Sequence, residues 1–200
     1  MAPPLLPIFR SRLQGDLLAL VLGTPDQEWT IEALATATGH PYQTVSNELR
    51  RLEAGGLLVG RTVGRAKFLR ADTTNPYLPP LSQLVLMSFG PPLVLAEEFS
   101  GVDGVDEILL FGSWAARYSG EPGPPPRDVD VLVIGTPDRD ALHEAARRAE
   151  GRLHREVNVT LRSRERWKND DDGFTRQLRR SPLVRLTGGS DPATAEVTHR

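Results

Sequence analysis

Cysteine is absent from the sequence, which excludes disulfides, thiolate zinc sites and cysteine nucleophiles at once. Long hydrophobic runs are missing too: none approaches the roughly 18–20 residues that a bilayer-spanning helix needs. The opening "MAPPLLPIFR" is too short and too broken by proline for a secretory signal. These absences lead to the expectation of a cytoplasmic protein with no membrane partner. Net charge is small as well, −2 over 200 residues, while 39% hydrophobic and 25% charged residues mark a globular chain of one ordinary or two small domains. The small total conceals a segregation. Residues 76–146 hold 3 Lys/Arg against 11 Asp/Glu, whereas 147–185 hold 12 against 6. An acidic block followed by a basic one suits either two faces with different partners or two halves of one anionic-substrate site.

In the first 75 residues the pattern is helical. "SRLQGDLLALVLG" puts Leu13, Leu17, Leu20 and Val21 on one stripe and stops at Gly23. "TPDQEW" reads as a turn. "TIEALATATG" is a second helix with Thr30 as N-cap and Gly39 at its end. "TVSNELRRLEAGG" is a third, with Val45, Leu49 and Leu52 inward. Two strands, 57–62 and 66–71, then fold around a turn at Val63–Gly64. Helix, turn, helix and hairpin make a helix-turn-helix with a wing. Gln43, Thr44, Ser46 and Asn47 open the third helix, where base edges of double-stranded DNA are read, and Arg50 and Arg51 follow on it. Arg61, Arg65, Lys67 and Arg70 decorate the hairpin as phosphate ligands. A trihelical unit with a hairpin also serves as a protein-docking module, with its arginines as a solvated face. The stretch "YQTVSNELRRLEAGGLLVGRTVGRAKFLRAD" resembles the winged-helix regulators of the ArsR and MarR type over roughly residues 11–72. That resemblance implies DNA binding as a homodimer matched to two half-sites. With no cysteine, it does not imply a metal-sensing switch.

The segment "TTNPYLPPLSQLVLMSFGPPLVLAEEF" is apolar and punctuated by proline. Ser82 is expected to cap a helix over 83–89, and a second helix follows from "PPLVLAEEF". Its apolar residues call for packing between modules or against a second chain.

The stretch "FGSWAARYSGEPGPPPRDVDVLVIG" carries the chemistry. A buried strand, Glu107–Phe111, turns at Gly112-Ser113 into a helix, whose backbone N–H groups and serine hydroxyl suit a phosphate. A long, proline-stiffened loop leads to a second strand in which Asp128 and Asp130 share a face. Two carboxylates beside a phosphate cradle suit Mg2+ bridging to a nucleotide. The ordered set resembles the minimal nucleotidyltransferases of the DNA polymerase β superfamily, whose signature is Gly-Ser followed by D-x-D. The resemblance implies that Gly112 and Ser113 bind an NTP, that Asp128 and Asp130 are the catalytic metal ligands, and that a nucleoside monophosphate passes to an acceptor. It also exposes a departure. Active members place a third carboxylate on a later strand; here that strand is "REVNVTLRS" and the matching position is Asn158, with Glu156, two residues earlier on the same face, as either a substitute or a surface acid at the strand start.

"DRDALHEAARRAEGRL" is an amphipathic helix with Leu142, Ala145, Ala149 and Leu153 inward and Arg147, Arg148 and Arg152 on its wet side. Two short helices follow, the second capped by Asp172 and ended before Pro182. Arg162, Arg164, Arg166, Lys168, Arg176, Arg179 and Arg180 either ring the acidic face, where they would neutralise a triphosphate, or form a solvated surface. None of the four histidines has a spacing that suggests a ligand or base.

The expectation is an α+β protein: a winged helix-turn-helix domain over 1–75, an apolar helical connector over 76–100, a nucleotidyltransferase-like mixed sheet with flanking helices over 101–187, and a disordered tail over 188–200. Three functions fit. One is a transcriptional regulator whose second domain binds Mg-nucleotide or is catalytically degenerate. Another is a working nucleotidyltransferase acting on a protein or RNA acceptor in the manner of toxin–antitoxin systems, with the winged helix for autoregulation or docking. In the third, the second fold is a dimerisation scaffold alone.

Overall fold

The computed structural model describes residues 8–169, 173–186 and 196–198. Helices and strands mix throughout, with one three-stranded and one five-stranded sheet, and the chain divides into two compact units between Gly90 and Pro91.

The first unit begins with α1 (Arg12–Gly23), capped by the Ser11 hydroxyl, which accepts from the Gln14 amide at 3.2 Å. Its stripe Leu13, Leu17, Leu20 and Val21 is buried. The segment read as a turn contains a two-residue strand, β1 (Trp29–Thr30); Trp29 is buried and its indole Nε1 donates to Thr24 Oγ1 at 3.0 Å. Thr30 caps α2 (Ile31–Thr38) by accepting from the Ala33 amide, and Gly39 ends it in the left-handed conformation, φ 66°. Helix α3 (Tyr42–Ala54) starts two residues before Thr44, because Pro41 at the N-cap (φ −58°) has no N–H to satisfy and sets the entry. Val45, Leu49 and Leu52 are buried in the core with the stripe of α1. Strands β2 (Leu58–Val63) and β3 (Ala66–Ala71) form an antiparallel hairpin, and β1 adds to β3, giving the order β1-β3-β2.

Helix α4 (Leu78–Phe89) begins five residues before Gln83, with proline in its first turn. Ser82 is therefore no cap; it lies inside the helix and its hydroxyl donates to the Leu22 carbonyl at 3.4 Å. The α4 end packs on α1: a Cβ on Gly15 would lie 2.2 Å from the Phe89 ring, and Phe9 meets Phe89 edge-on at 5.0 Å. The stretch expected as a connector thus contributes α4 to the first unit and the next helix to the second. Leu78–Phe99 taken together is long and apolar enough to cross a membrane, yet 61% of its most apolar window is buried within the protein.

The second unit opens with α5 (Pro91–Phe99), followed by β4 (Val105–Phe111), α6 (Gly112–Tyr118), β5 (Asp128–Gly135), α7 (Arg139–Leu153), β6 (Glu156–Arg162), α8 (Arg164–Asn169), α9 (Gly173–Arg180), β7 (Leu183–Leu186) and β8 (Glu196–Thr198). The strand order is β6-β5-β4-β7-β8, with β5 and β6 parallel across α7 and the other pairs antiparallel. Both faces of the sheet are covered. Leu109, Leu132 and Ile134 pack with Leu178 of α9 and Trp167 of α8, while Val129, Val131 and Val133 alternate to the other face and are also buried. Asp138 caps α7 by accepting from the amides of Asp140 and Ala141. The expected wet side of α7 is partly spoken for: Arg152 pairs with Glu97 and Glu98 of α5 at 2.7 and 2.8 Å, and Arg148 with Glu98 at 2.9 Å. Strand β8 lies within the tail expected to be disordered, because the free edge of β7 offers it a ladder over Leu183–Arg185. The Asp172 cap lies outside the described residues.

Candidate functional site

Strand β5 places Asp128 at its exposed start and Asp130, half-buried, two residues on. Parallel pairing sets Glu156 opposite Asp128 and Asn158 opposite Asp130. The Asn158 carboxamide reaches both acids: Nδ2 donates to Asp128 Oδ2 at 3.1 Å and to Asp130 Oδ1 at 3.3 Å. Burial pushes the Asp130 carboxyl above the ordinary aspartate value; the Asn158 bond pulls it down, and the Asp128 charge adds to the upward push.

The turn after β4 closes on this pair. Phe111 stands in register with Asp130, and Gly112 follows with φ 66°. A Cβ at Gly112 would lie 2.5 Å from Asp130 Oδ2, so both the backbone conformation and the close approach demand glycine. Ser113 is exposed in the first turn of α6. The sequence-predicted residues Gly112, Asp128, Asp130 and Asn158 are thereby drawn together.

Of the basic residues expected around the acids, Arg164 is engaged by Asp106 at 2.9 Å, and Arg179 lies 4.9 Å over the Trp167 ring. Arg162 lies 5.0 Å over Phe174, whose ring meets Phe111 edge-on at 6.3 Å. One residue escaped the sequence reading. Arg155, just ahead of β6, lies 5.4 Å over the Trp114 ring, donates to the Pro126 carbonyl and feels the Asp128 charge. Its signal was faint: a basic residue before a strand, indistinguishable from the many others in the basic block.

Can these residues hold Mg2+? Among the described residues no group of three Asp, Glu, His or Cys side chains could hold a metal ion. The pair supplies two carboxylates, and an amide turned about its last bond offers a neutral oxygen in place of its nitrogen. Carboxylate and amide oxygens are the hard donors that Mg2+ takes. Among the described residues, the further carboxylate in register with the pair is Glu156, which is exposed at the start of its strand.

The first unit gathers the other predicted residues on α3 and the hairpin. Gln43, Thr44, Asn47, Arg50 and Arg51 are exposed on α3 and Ser46 is half-exposed. Asn47 Oδ1 accepts from Gln43 Nε2 at 3.1 Å and from the Arg50 guanidinium. Arg51 pairs with the buried Glu48 at 3.1 Å, which also accepts from Gln14 at 2.9 Å. On the hairpin Arg61 grips Glu28 through two bonds of 2.6 and 2.5 Å and covers the Phe68 ring at 5.1 Å. Lys67 meets Glu53 at 2.5 Å. Arg65, at the turn beside Gly64, is exposed and has no carboxylate partner among the described residues.

No protein-family model matches this sequence, and neither a curated protein nor a solved structure matches it.

Proposed function

We propose that the chain is a DNA-binding transcriptional regulator, acting as a homodimer, whose second unit is a nucleotidyltransferase-like fold that binds a Mg-nucleotide and does not transfer it. Support for the DNA-binding half is the order of three helices and a basic hairpin, with polar side chains exposed at the start of α3. The second half rests on one observation above all: the carboxamide of Asn158 sits between Asp128 and Asp130. With the amide turned to present its oxygen instead of its nitrogen, these three side chains would offer ligands to one divalent cation, with Gly112 and Ser113 lining the phosphate side. When bound, Mg2+ would neutralise phosphate charge. Asn158 orients the two acids but cannot accept a proton from an attacking hydroxyl, and its neutral oxygen leaves the charge of a second ion uncompensated. Hence the reading stops at binding.

The test is calorimetric titration of Mg2+ with each of the four NTPs into the full chain and into Asp128→Asn/Asp130→Asn, alongside label transfer from α-labelled NTPs in a cognate lysate. Saturable binding lost in the double variant, with no labelled acceptor, is the expected result. Transfer by the natural chain would replace this reading with the enzymatic one. DNA binding is checked separately by fluorescence anisotropy on the protein's own promoter against scrambled duplex at physiological salt; equal affinity for both would end the regulator reading.

A further inference from the structure

We infer that Arg155 is a positioning residue: it latches the proline-rich loop 119–127 by its main chain, and so fixes the Gly112–Ser113 turn and the acid strand in one frame. Three walls meet at this guanidinium. It lies over Trp114, a buried residue directly after Ser113; it donates to the carbonyl of Pro126, two residues before Asp128; and it is delivered by the chain that becomes β6, three residues ahead of Asn158. The chain arrives there through His154, the single non-glycine residue with positive φ (50°) among those described, which ends α7 and turns the backbone into the strand.

The loop needs outside donors. Pro122, Pro124, Pro125 and Pro126 have no N–H to offer one another's carbonyls. A second arginine serves its other end: Arg117 donates to the carbonyls of Glu121 at 3.1 Å and Pro124 at 3.4 Å. Gly123, with φ 151°, lets that guanidinium lie against the backbone, since a Cβ there would sit 2.4 Å from it. Both latches therefore bind main chain. A guanidinium can lie over an indole and donate from its edge at the same time, which the compact ammonium of lysine cannot match. Burial lowers the pKa of the Arg155 cation and the neighbouring Asp128 charge raises it, so its departure would cost the acid pair a compensating charge.

The functional arm of this inference rests on the reading of Asp128 and Asp130 as a nucleotide site; the latch itself does not. The experiment uses the full chain with its natural Arg155, with Arg155→Lys and with Arg155→Met. Limited trypsin digestion is followed at Arg127, inside the loop, and at Arg147, on α7, and each protein is then titrated with the four Mg-NTPs. In Arg155→Met, cleavage at Arg127 should accelerate about tenfold with Arg147 unchanged, and nucleotide affinity should fall about tenfold. Arg155→Lys should lie between the two, retaining charge without the planar fork. Unchanged cleavage at Arg127 in both variants would overturn the latch, as would equal acceleration at Arg127 and Arg147, which marks general loosening. If the natural chain binds no Mg-nucleotide, the nucleotide reading falls while the cleavage pattern still decides the latch.

Discussion

Both units close cations onto their own acids, as Arg152 does on Glu97 and Glu98, and the second unit adds an arrangement of charge that the first does not show among the described residues. In the first, cations on the elements facing outward are closed onto the protein's own acids: Arg51 on Glu48, Arg61 on Glu28, Lys67 on Glu53. In the second, two acids face each other with only a neutral amide between them, and one is half-buried. The difference separates two kinds of charge. An exposed ion pair is worth about 0–1 kcal/mol and opens readily when a phosphate competes for the arginine. A carboxylate crowded by burial and a like charge works against folding, and such groups concentrate where a ligand will relieve them.

The sharpest way to break this contrast is at the glycines that permit it. Gly112→Val introduces a strained φ and a clash with Asp130, and should cost the second unit roughly 2–4 kcal/mol. Gly15→Ala drives a methyl into the Phe89 ring and should cost the first unit roughly 1–3 kcal/mol. Thermal denaturation followed by calorimetry should show each substitution lowering its own transition.

A subtler break uses pH. The bonds from Arg152 and Arg148 outweigh burial and hold the Glu98 carboxyl below its usual 4.5. Its stabilisation is complete above that value and lost as pH falls through the lower folded value. Asp130 is raised above 3.8, so the native state binds its proton more tightly than the unfolded chain does. Its cost is complete above the folded value and vanishes as pH falls to 3.8. Asp130→Asn should therefore raise the stability of the second unit at pH 7 and change it little below pH 3.8. Glu98→Gln should lower it at pH 7. Urea denaturation at both pH values checks the two signs.

The smallest effect lies in the first unit. Glu28→Gln with Glu53→Gln frees Arg61 and Lys67 for phosphate. Double-stranded DNA affinity should rise about threefold and the salt slope steepen by about one per freed cation; Arg65→Ala should flatten it by about one. Anisotropy at several salt concentrations measures both.

Elements announced by local chemistry were legible in the sequence. Thr30 and Gly39 bracket α2 as expected, Gly64 turns the hairpin, and strict alternation across Asp128 and Asp130 gives β5 its register. What depended on partners far along the chain was not legible. Strand β1 is two residues long and exists because β3 offers an edge, and the four residues of β7 are a strand because β4 lies beside them. The same holds for the site. Position 158 was readable as an asparagine on the strand expected beside the acids, yet its bonds to both acids came only from the parallel register of β5 and β6. The hairpin cations were legible as positions and not as partners, since Glu28 lies 33 residues from Arg61.

Gly90 is the last residue of the first unit, and a side chain there would sit 2.3 Å from the Leu86 carbonyl. Each unit is one unbroken run of sequence on its own side of that residue. In genetic terms, codon 90 is a natural joint: a break there would part the two units without cutting a strand pair among the described residues.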